Sequence, residues 1–385
     1  MEIAVKQRNN SVDFWRLFLT FAIAMGHYTR IGIGFRGVDL TGVFTIFNGG
    51  YIVYFLLITG YFMMAGIQKQ KVLGIVEQIG PEQASWNYLK SRFRALWPAF
   101  FVGNLFGFIV NVVTNPEITS AKDIFVYFTS KIYVFMGIET SGMTGSVSSL
   151  GGATWYISAI FVTALPLFYL ICKHEKAFKG WVGPMIVLIV WGYYGIADMG
   201  MMGAFARNTL VFGLFENSWV LGFASFCLGA LLWYPVEKLK TASLSSFQKG
   251  CINIVAILLT VLFLWISIIN ESLLPREDVA LFFMAVFVII ILSGRDCVSK
   301  VLNKASFFGK TGKFSLYMFT IHMPYAQRVF PDIFTVTADN YYLALVLYAA
   351  SLVVITFIVM FITEKLIRPL LRAIIGSNKA KLAEA

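Results

Sequence analysis

Long apolar runs separated by short polar segments follow one another along the whole chain. A helix needs about 20 predominantly apolar residues to cross the roughly 30 Å of hydrocarbon in a bilayer. The sequence therefore predicts an all-α fold, a polytopic transmembrane helix bundle of about ten spans. The predicted spans are 13–33, 43–66, 95–115, 153–172, 181–201, 209–233, 251–270, 278–294, 314–330 and 341–364. We expect one transmembrane domain over residues 1–370 and a short basic cytoplasmic tail over 371–385.

The composition excludes a water-soluble domain. Hydrophobic residues make up 58% of the 385 residues and charged residues 13%, whereas a soluble domain carries about a quarter charged residues. A net charge of +11 on a soluble protein would suggest nucleic acid, but here the basic residues lie in loops between apolar runs. The lipid bilayer, and no nucleic acid, is the expected partner. The cysteines are isolated, so neither a metal site nor a disulfide framework is indicated.

The basic residues also predict the orientation. With a cytoplasmic N-terminus, 23 of the 31 lysines and arginines fall on the inner side. The positive-inside rule therefore predicts that both termini are cytoplasmic.

Two longer loops interrupt the pattern. The inner segment 67–94 is basic and is predicted to form an amphipathic helix lying on the membrane. The outer segment 116–152 combines an amphipathic stretch with a Gly/Ser/Thr run, which is typical of a mobile lid or surface loop.

Ionisable residues inside predicted spans are costly and mark candidate functional sites. In SVDFWRLFLTFAIAMGHY, Asp13, Arg16 and His27 lie three and eleven residues apart. Eleven steps of about 100° return to nearly the same helix face, so a carboxylate, a guanidinium and an imidazole share that face. In the alternative interpretation, Arg16 reaches the inner headgroups with Asp13 as its partner, and His27 is structural.

Two further patterns carry candidate chemistry. In FSLYMFTIHMPY, Ser315, Phe319 and His322 share a face of the ninth predicted helix. In the alternative interpretation, His322 is structural and bonds backbone loosened by Pro324. In SRFRALWPAF, two guanidinium groups stand at the inner entry to the third helix, where they suit phosphate binding or simple membrane anchoring. These are Arg92 and Arg94.

Five motifs occur in order along residues 11–364: D-x-x-R-x(10)-H in the first span, FLLITGYFMM, the Arg/Pro entry to the third span, GATWYISAIF, and FSLYMFTIHMP. Together they resemble the acyltransferase-3 family of integral membrane O-acyltransferases, of the polysaccharide O-acetyltransferase type. The resemblance implies transfer of an acyl group, usually acetyl from cytoplasmic acetyl-CoA, to a hydroxyl of an extracytoplasmic glycan or lipid-linked saccharide. It also implies a bacterial cytoplasmic membrane and no metal.

The resemblance assigns roles to matching positions. His27 matches the essential histidine of the family and Arg16 its helix-one arginine, while Ser315 and His322 match the late motif. Arg92 matches the first arginine of an R-x-x-R pair, but Ala95 stands where the second is expected and Arg94 is adjacent. The implied catalytic set is Asp13, Arg16, His27, Ser315 and His322. The implied donor set is Arg16, Thr59, Tyr61, Arg92 and Arg94.

On the acceptor side, aromatic residues are expected to stack on sugar rings or to form an interfacial belt. Glu216, predicted within the sixth span, is expected to orient an imidazole or to pair with Arg207. His27 would act as a general base or would itself carry the acyl group. The acceptor candidates are Trp155, Tyr156, Tyr193, Tyr194, Arg207, Glu216 and Trp219.

Two other classes of function fit the same pattern. A transporter or flippase of a glycan or lipid-linked intermediate would have many spans and buried charge, but would predict paired halves, and the sequence shows no internal repeat. A non-catalytic sensor or assembly partner would need no reason for Arg16 and His27 to share a face.

Overall fold

The chain is helical almost throughout the part that the computed structural model describes, which is residues 9–35, 51–139, 150, 154–196, 210–211, 215–266, 277–337 and 339–370. The first half contains α1 (Asn10–Phe35), α2 (Tyr51–Val72), α3 (Ile75–Thr114), α4 (Ala121–Ser130), α5 (Ile132–Phe135), α6 (Trp155–Ala177) and α7 (Gly183–Ile196).

The second half opens on two short antiparallel strands, β1 (Leu210–Val211) and β2 (Phe215–Glu216), with Leu210 opposite Glu216. The helices that follow are α8 (Asn217–Thr241), α9 (Ser246–Ile266), α10 (Glu277–Ser293), α11 (Cys297–Lys304), α12 (Thr311–Pro324), α13 (Phe330–Ile333) and α14 (Tyr341–Ile362). A π-helical turn, Tyr325–Val329, continues α12 into α13, because Pro324 has no N–H to donate to the helical ladder.

The described residues confirm a polytopic helical membrane protein. They include six helices long and apolar enough to cross a bilayer, or seven if α10 and α11, bent by 53°, form one broken span. The number of ten spans and the cytoplasmic termini stay predictions. The tail over 371–385 lies outside the described residues.

The inner segment 67–94 differs from its prediction because most of it belongs to α3. Gly80 takes a non-helical conformation (φ 78°, ψ 157°), and after this kink the helix continues to Thr114. Ala84, Ser85 and Tyr88 are buried in the protein, so this segment packs against the bundle instead of lying only on the membrane surface.

The outer segment also differs from a surface loop where the structure describes it. After α4, the chain turns into the bundle, so Val134, Phe135 and Glu139 are buried. Most of the Gly/Ser/Thr run lies outside the described residues.

Small residues bring α2 and α8 into close contact. A Cβ added to Gly60 would lie 2.3 Å from the carbonyl oxygen of Phe226, and one added to Gly229 would lie 2.2 Å from that of Leu57. Glycines at helix contacts let two backbones approach more closely than any side chain permits. This contact holds α2 beside the cavity described next.

Candidate active site

Five helices, α1, α2, α3, α6 and α12, enclose a cavity of about 530 Å³. The cavity lining includes the basic side chains of Arg16, Lys69 and Arg92 and the aromatic rings of Phe55, Tyr156 and Phe319. Phe55 and Lys69 both lie on α2, and at 1.5 Å per residue they stand about 20 Å apart along the helix. The cavity is therefore basic in one part and aromatic in another. The first helix contributes Arg16 and Thr20 to the cavity lining.

The two arginines of the basic region are held differently. Arg16 Nη1 lies 3.7 Å from Asp13 Oδ1, and the guanidinium lies 5.6 Å from the ring centre of Phe62. The Arg92 guanidinium lies over the ring of Tyr88 at 5.0 Å. Its Nε is buried and has no hydrogen-bond partner among the described residues. A buried donor without a partner is costly, so Arg92 is suited to bind an anion entering the cavity.

Arg94 faces elsewhere. Two steps of about 100° turn its side chain to the opposite face of α3 from Arg92, where it is exposed and lines a second groove with Lys90 and Phe93. The structure brings Arg16 and Arg92 to one cavity and does not bring Arg94 there.

Three consecutive residues of α2 reach three different places. Thr59 lines the cavity, and its hydroxyl lies 2.9 Å from that of Tyr156. Gly60 contacts α8. Tyr61 donates to Glu237 at 3.0 Å and accepts from Lys240 at 2.8 Å, so it points away from the cavity. Of the two predicted donor-site residues on α2, the structure places only Thr59 in the cavity wall.

Two histidines meet near the aromatic region. The ring centres of His27 and His322 lie 5.2 Å apart, although the residues are far apart in the sequence. Phe319 lines the cavity, and its ring lies 5.8 Å from that of His322, one helical turn further along α12. Neither histidine is among the described residues that line the cavity itself.

The hydrogen bond of His322 determines its tautomer. Its Nδ1 lies 2.8 Å from the carbonyl oxygen of Phe319, which only accepts, so Nδ1 carries the proton and donates. In the neutral ring, Nε2 is then the nitrogen with a lone pair. The side chain is 0% exposed, and Nε2 has no hydrogen-bond partner in the described part of the chain. His322 therefore bonds its own helix backbone through Nδ1, and Nε2 keeps a lone pair. A catalytic role for His322 stays a prediction.

The remaining catalytic candidate, Ser315, lines the cavity and donates to the carbonyl oxygen of Gly312 at 3.0 Å. It is 4% exposed. A serine that donates to backbone keeps lone pairs available as acceptors. The structure therefore places Ser315 in the cavity wall, between the basic region and the histidine pair along α12.

Sequence reasoning missed a buried polar cluster of Asn104, Glu139 and Thr154. The Thr154 hydroxyl donates to Asn104 Oδ1 at 3.1 Å and lies 3.5 Å from Glu139 Oε2. All three are at most 1% exposed. The sequence could have indicated Asn104, because an amide inside a predicted span is costly and marks a candidate site. It gave no sign that Glu139 is buried, because this residue follows an amphipathic stretch in a predicted loop.

This cluster lies close to the level of the histidines. Gly103, next to Asn104, is pressed against α12, since a Cβ there would come 2.4 Å from the Cβ of Thr320. Thr320 is two residues before His322. Thr154 similarly precedes Tyr156, which lines the cavity, by two residues.

The predicted acceptor residues do not gather in one place. Tyr156 lines the cavity, and its neighbour in the sequence, Trp155, is buried. Trp219 packs against Phe223, with 5.6 Å between the ring centres. Tyr193 is exposed at the end of α7. The positions of Arg207 and the side chain of Tyr194 lie outside the described residues.

The predicted position of Glu216 was wrong. It lies in β2, immediately before α8 begins at Asn217, and not inside the sixth span. An ionisable residue within hydrocarbon is costly, which favours a helix that starts after it.

A family model described as an acyltransferase domain, Acyl_transf_3, matches residues 9–365. The chain belongs to the acyltransferase-3 family. No curated protein and no solved structure gave a significant match. As a member of this family with several membrane-spanning helices, the protein is an integral membrane acyltransferase. The matched region contains all the cavity helices and the histidine pair.

Proposed function

We propose that this acyltransferase transfers an acetyl group from cytoplasmic acetyl-CoA to a hydroxyl of an extracytoplasmic or cell-surface glycan. One observation carries the proposal: a single cavity joins the guanidinium groups of Arg16 and Arg92 to an aromatic region beside the pair His27 and His322. A transporter needs no such pairing of imidazoles with an anion-binding region.

The basic region supports binding of the donor. The phosphates of coenzyme A would bind Arg16, Arg92 and Lys69, because guanidinium groups form strong charge-assisted hydrogen bonds to phosphate. The pantetheine arm would lie along the cavity past Thr59 and Ser315. The thioester would then lie at the aromatic region, near the histidines.

The histidine pair supplies the base in this proposal. The imidazole of His27 takes the proton of the acceptor hydroxyl, and the hydroxyl oxygen attacks the thioester carbonyl carbon. The new ester C–O bond forms as the C–S bond breaks, and the imidazolium returns the proton to the departing thiolate, which gives free coenzyme A. The hydrogen bond of His322 leaves a lone pair on Nε2. General-base catalysis needs such a lone pair, and an acyl-histidine relay needs the same one.

The acceptor would approach from the other side of the histidines. Asn104, Glu139 and Thr154 form a buried polar cluster near that level. A carboxylate and an amide are common partners of sugar hydroxyls because each accepts hydrogen bonds at fixed positions. We therefore include this cluster in the acceptor site.

The test compares two histidine variants in cells whose surface glycan acetylation is measured by mass spectrometry. We expect His27→Ala to reduce acetylation by about 100-fold or more, which is the usual contribution of a positioned general base. His174→Ala is the matched control, because His174 is exposed at the far end of α6. Protein level in the membrane is measured for both. Unchanged acetylation in His27→Ala at normal protein level would contradict the proposed chemistry and favour transport or scaffolding.

A further inference from the structure

Three aromatic rings from three helices line the cavity, and one of them, that of Phe319, lies 5.8 Å from His322. The ring centres of Phe55 and Tyr156 lie 6.2 Å apart, those of Tyr156 and Phe319 5.6 Å, and those of Phe55 and Phe319 6.0 Å. Each ring therefore contacts the other two, and all three line the cavity. We call these three residues the ring wall.

The ring wall is held in place from several directions. Phe55, Tyr156 and Phe319 are 9%, 8% and 4% exposed, so little free volume surrounds them. The Tyr156 hydroxyl donates to the carbonyl oxygen of Phe55 at 3.2 Å, which ties α6 to α2. Close-packed rings cannot move aside without opening a void or a clash. The wall therefore presents a fixed surface to whatever occupies the cavity.

We propose that the ring wall sets the size of the acyl group by stopping any chain longer than acetyl at the end of the donor cavity. This inference rests on the proposed donor site. An acetyl group places only a methyl group beyond the thioester carbonyl, whereas a butyryl group needs room for two more methylene groups. Those groups would clash with the rings or hold the carbonyl further from His27 and His322.

The expected preference for acetyl-CoA over butyryl-CoA can be estimated from other enzymes. One methylene group in a tight apolar pocket changes selectivity by about 10–200-fold. The unmodified protein should therefore bind butyryl-CoA at least about tenfold more weakly than acetyl-CoA. Removing one ring should abolish or reverse that preference, because the freed volume accommodates the longer chain.

The experiment measures binding of coenzyme A, acetyl-CoA and butyryl-CoA to the purified full-length protein in detergent by calorimetry. Phe319→Ala should lower the ratio of butyryl-CoA to acetyl-CoA dissociation constants by about tenfold or more. If Phe319→Ala is poorly expressed, Phe319→Leu replaces it in the experiment and should lower the same ratio of dissociation constants by a smaller amount.

Phe263→Ala is the control for general damage to packing. Phe263 is 4% exposed and packs on Phe287 at 4.7 Å, away from the cavity. This variant creates a comparable void and should keep the acyl preference.

The outcomes separate the two levels of the proposal. If the unmodified protein binds neither coenzyme A nor acetyl-CoA, the donor site itself is wrong. If it binds both acyl-CoA molecules equally, or if Phe319→Ala and Phe319→Leu keep the original ratio, the donor site stands and the ring wall does not set acyl size.

Discussion

Side chains that are only two positions apart on the same helix reach different parts of this protein. Arg92 lines the donor cavity while Arg94 lines an outer groove. Thr59 lines the same cavity while Tyr61 bonds to Glu237 of α8. Because successive side chains are about 100° apart, a motif of neighbouring residues on a helix rarely acts at one point.

The two arginines give a matched pair of variants. We expect Arg92→Ala to weaken acetyl-CoA binding by about tenfold or more, since a hydrogen bond to a charged group contributes about 1.5–3 kcal/mol. Arg94→Ala should weaken it far less, because its side chain lies outside the cavity. Calorimetric titration of the purified variants measures both. Equal losses in the two variants would show that Arg94 shares the donor site, and no loss in Arg92→Ala would remove Arg92 from it.

At the level of elements, the contact between α2 and α8 depends on two glycines, which have no side chain. Gly60 and Gly229 each face the backbone of the opposite helix at a distance that leaves no room for a Cβ. Thr59, and with it one side of the cavity, takes its position from this contact. Gly60 of the α2 motif thus has a packing role, while its neighbour Thr59 lines the cavity.

Substituting these glycines tests the contact. We expect Gly229→Ala to lower stability by about 1–3 kcal/mol, the usual cost of overpacking, because its Cβ would lie 2.2 Å from the Leu57 carbonyl oxygen. Gly250→Ala in α9 meets nothing within 4 Å. It should be neutral or slightly stabilising, since alanine favours a helix over glycine by up to about 1 kcal/mol. Thermal unfolding in detergent compares the two, and an equal melting temperature for both would contradict this account of the contact.

At the level of the whole molecule, the orientation of the bundle decides which side of the membrane the basic region of the cavity faces. After its kink at Gly80, α3 continues to Thr114, and at 1.5 Å per residue this stretch is about 50 Å long. It exceeds the roughly 30 Å hydrocarbon core, and the exposed carboxylates near its two ends, those of Glu82 and Glu117, favour positions outside the hydrocarbon. The ends of α3 are therefore suitable reporters of orientation.

Single cysteines at those ends test the predicted orientation. Glu82 and Glu117 are both exposed and stand at or just beyond opposite ends of α3. In a cysteine-free background, a membrane-impermeant maleimide should label Glu117→Cys in intact cells and Glu82→Cys only in inverted vesicles. This follows from the excess of lysine and arginine on the Glu82 side. The reverse labelling would place the basic region of the cavity outside the cell and would exclude cytoplasmic acetyl-CoA as the donor.

Hydropathy and span length are local properties, so the sequence was enough to show a polytopic helical membrane protein. It also determined that Arg16 and His27 share a face of α1, because helical spacing alone decides this. The resemblance to the family followed from motif order, and the family match confirmed it.

Which helix faces meet became known from the folded structure. A helix surrounded by lipid can be apolar on every side, so its hydropathy does not show which face packs against protein. The pairing of His27 with His322, the choice of Arg92 over Arg94, the ring wall and the burial of Glu139 all depend on how separate helices pack together. These contacts join residues far apart in the sequence, and close packing of side chains between helices, rather than any local pattern, determines them.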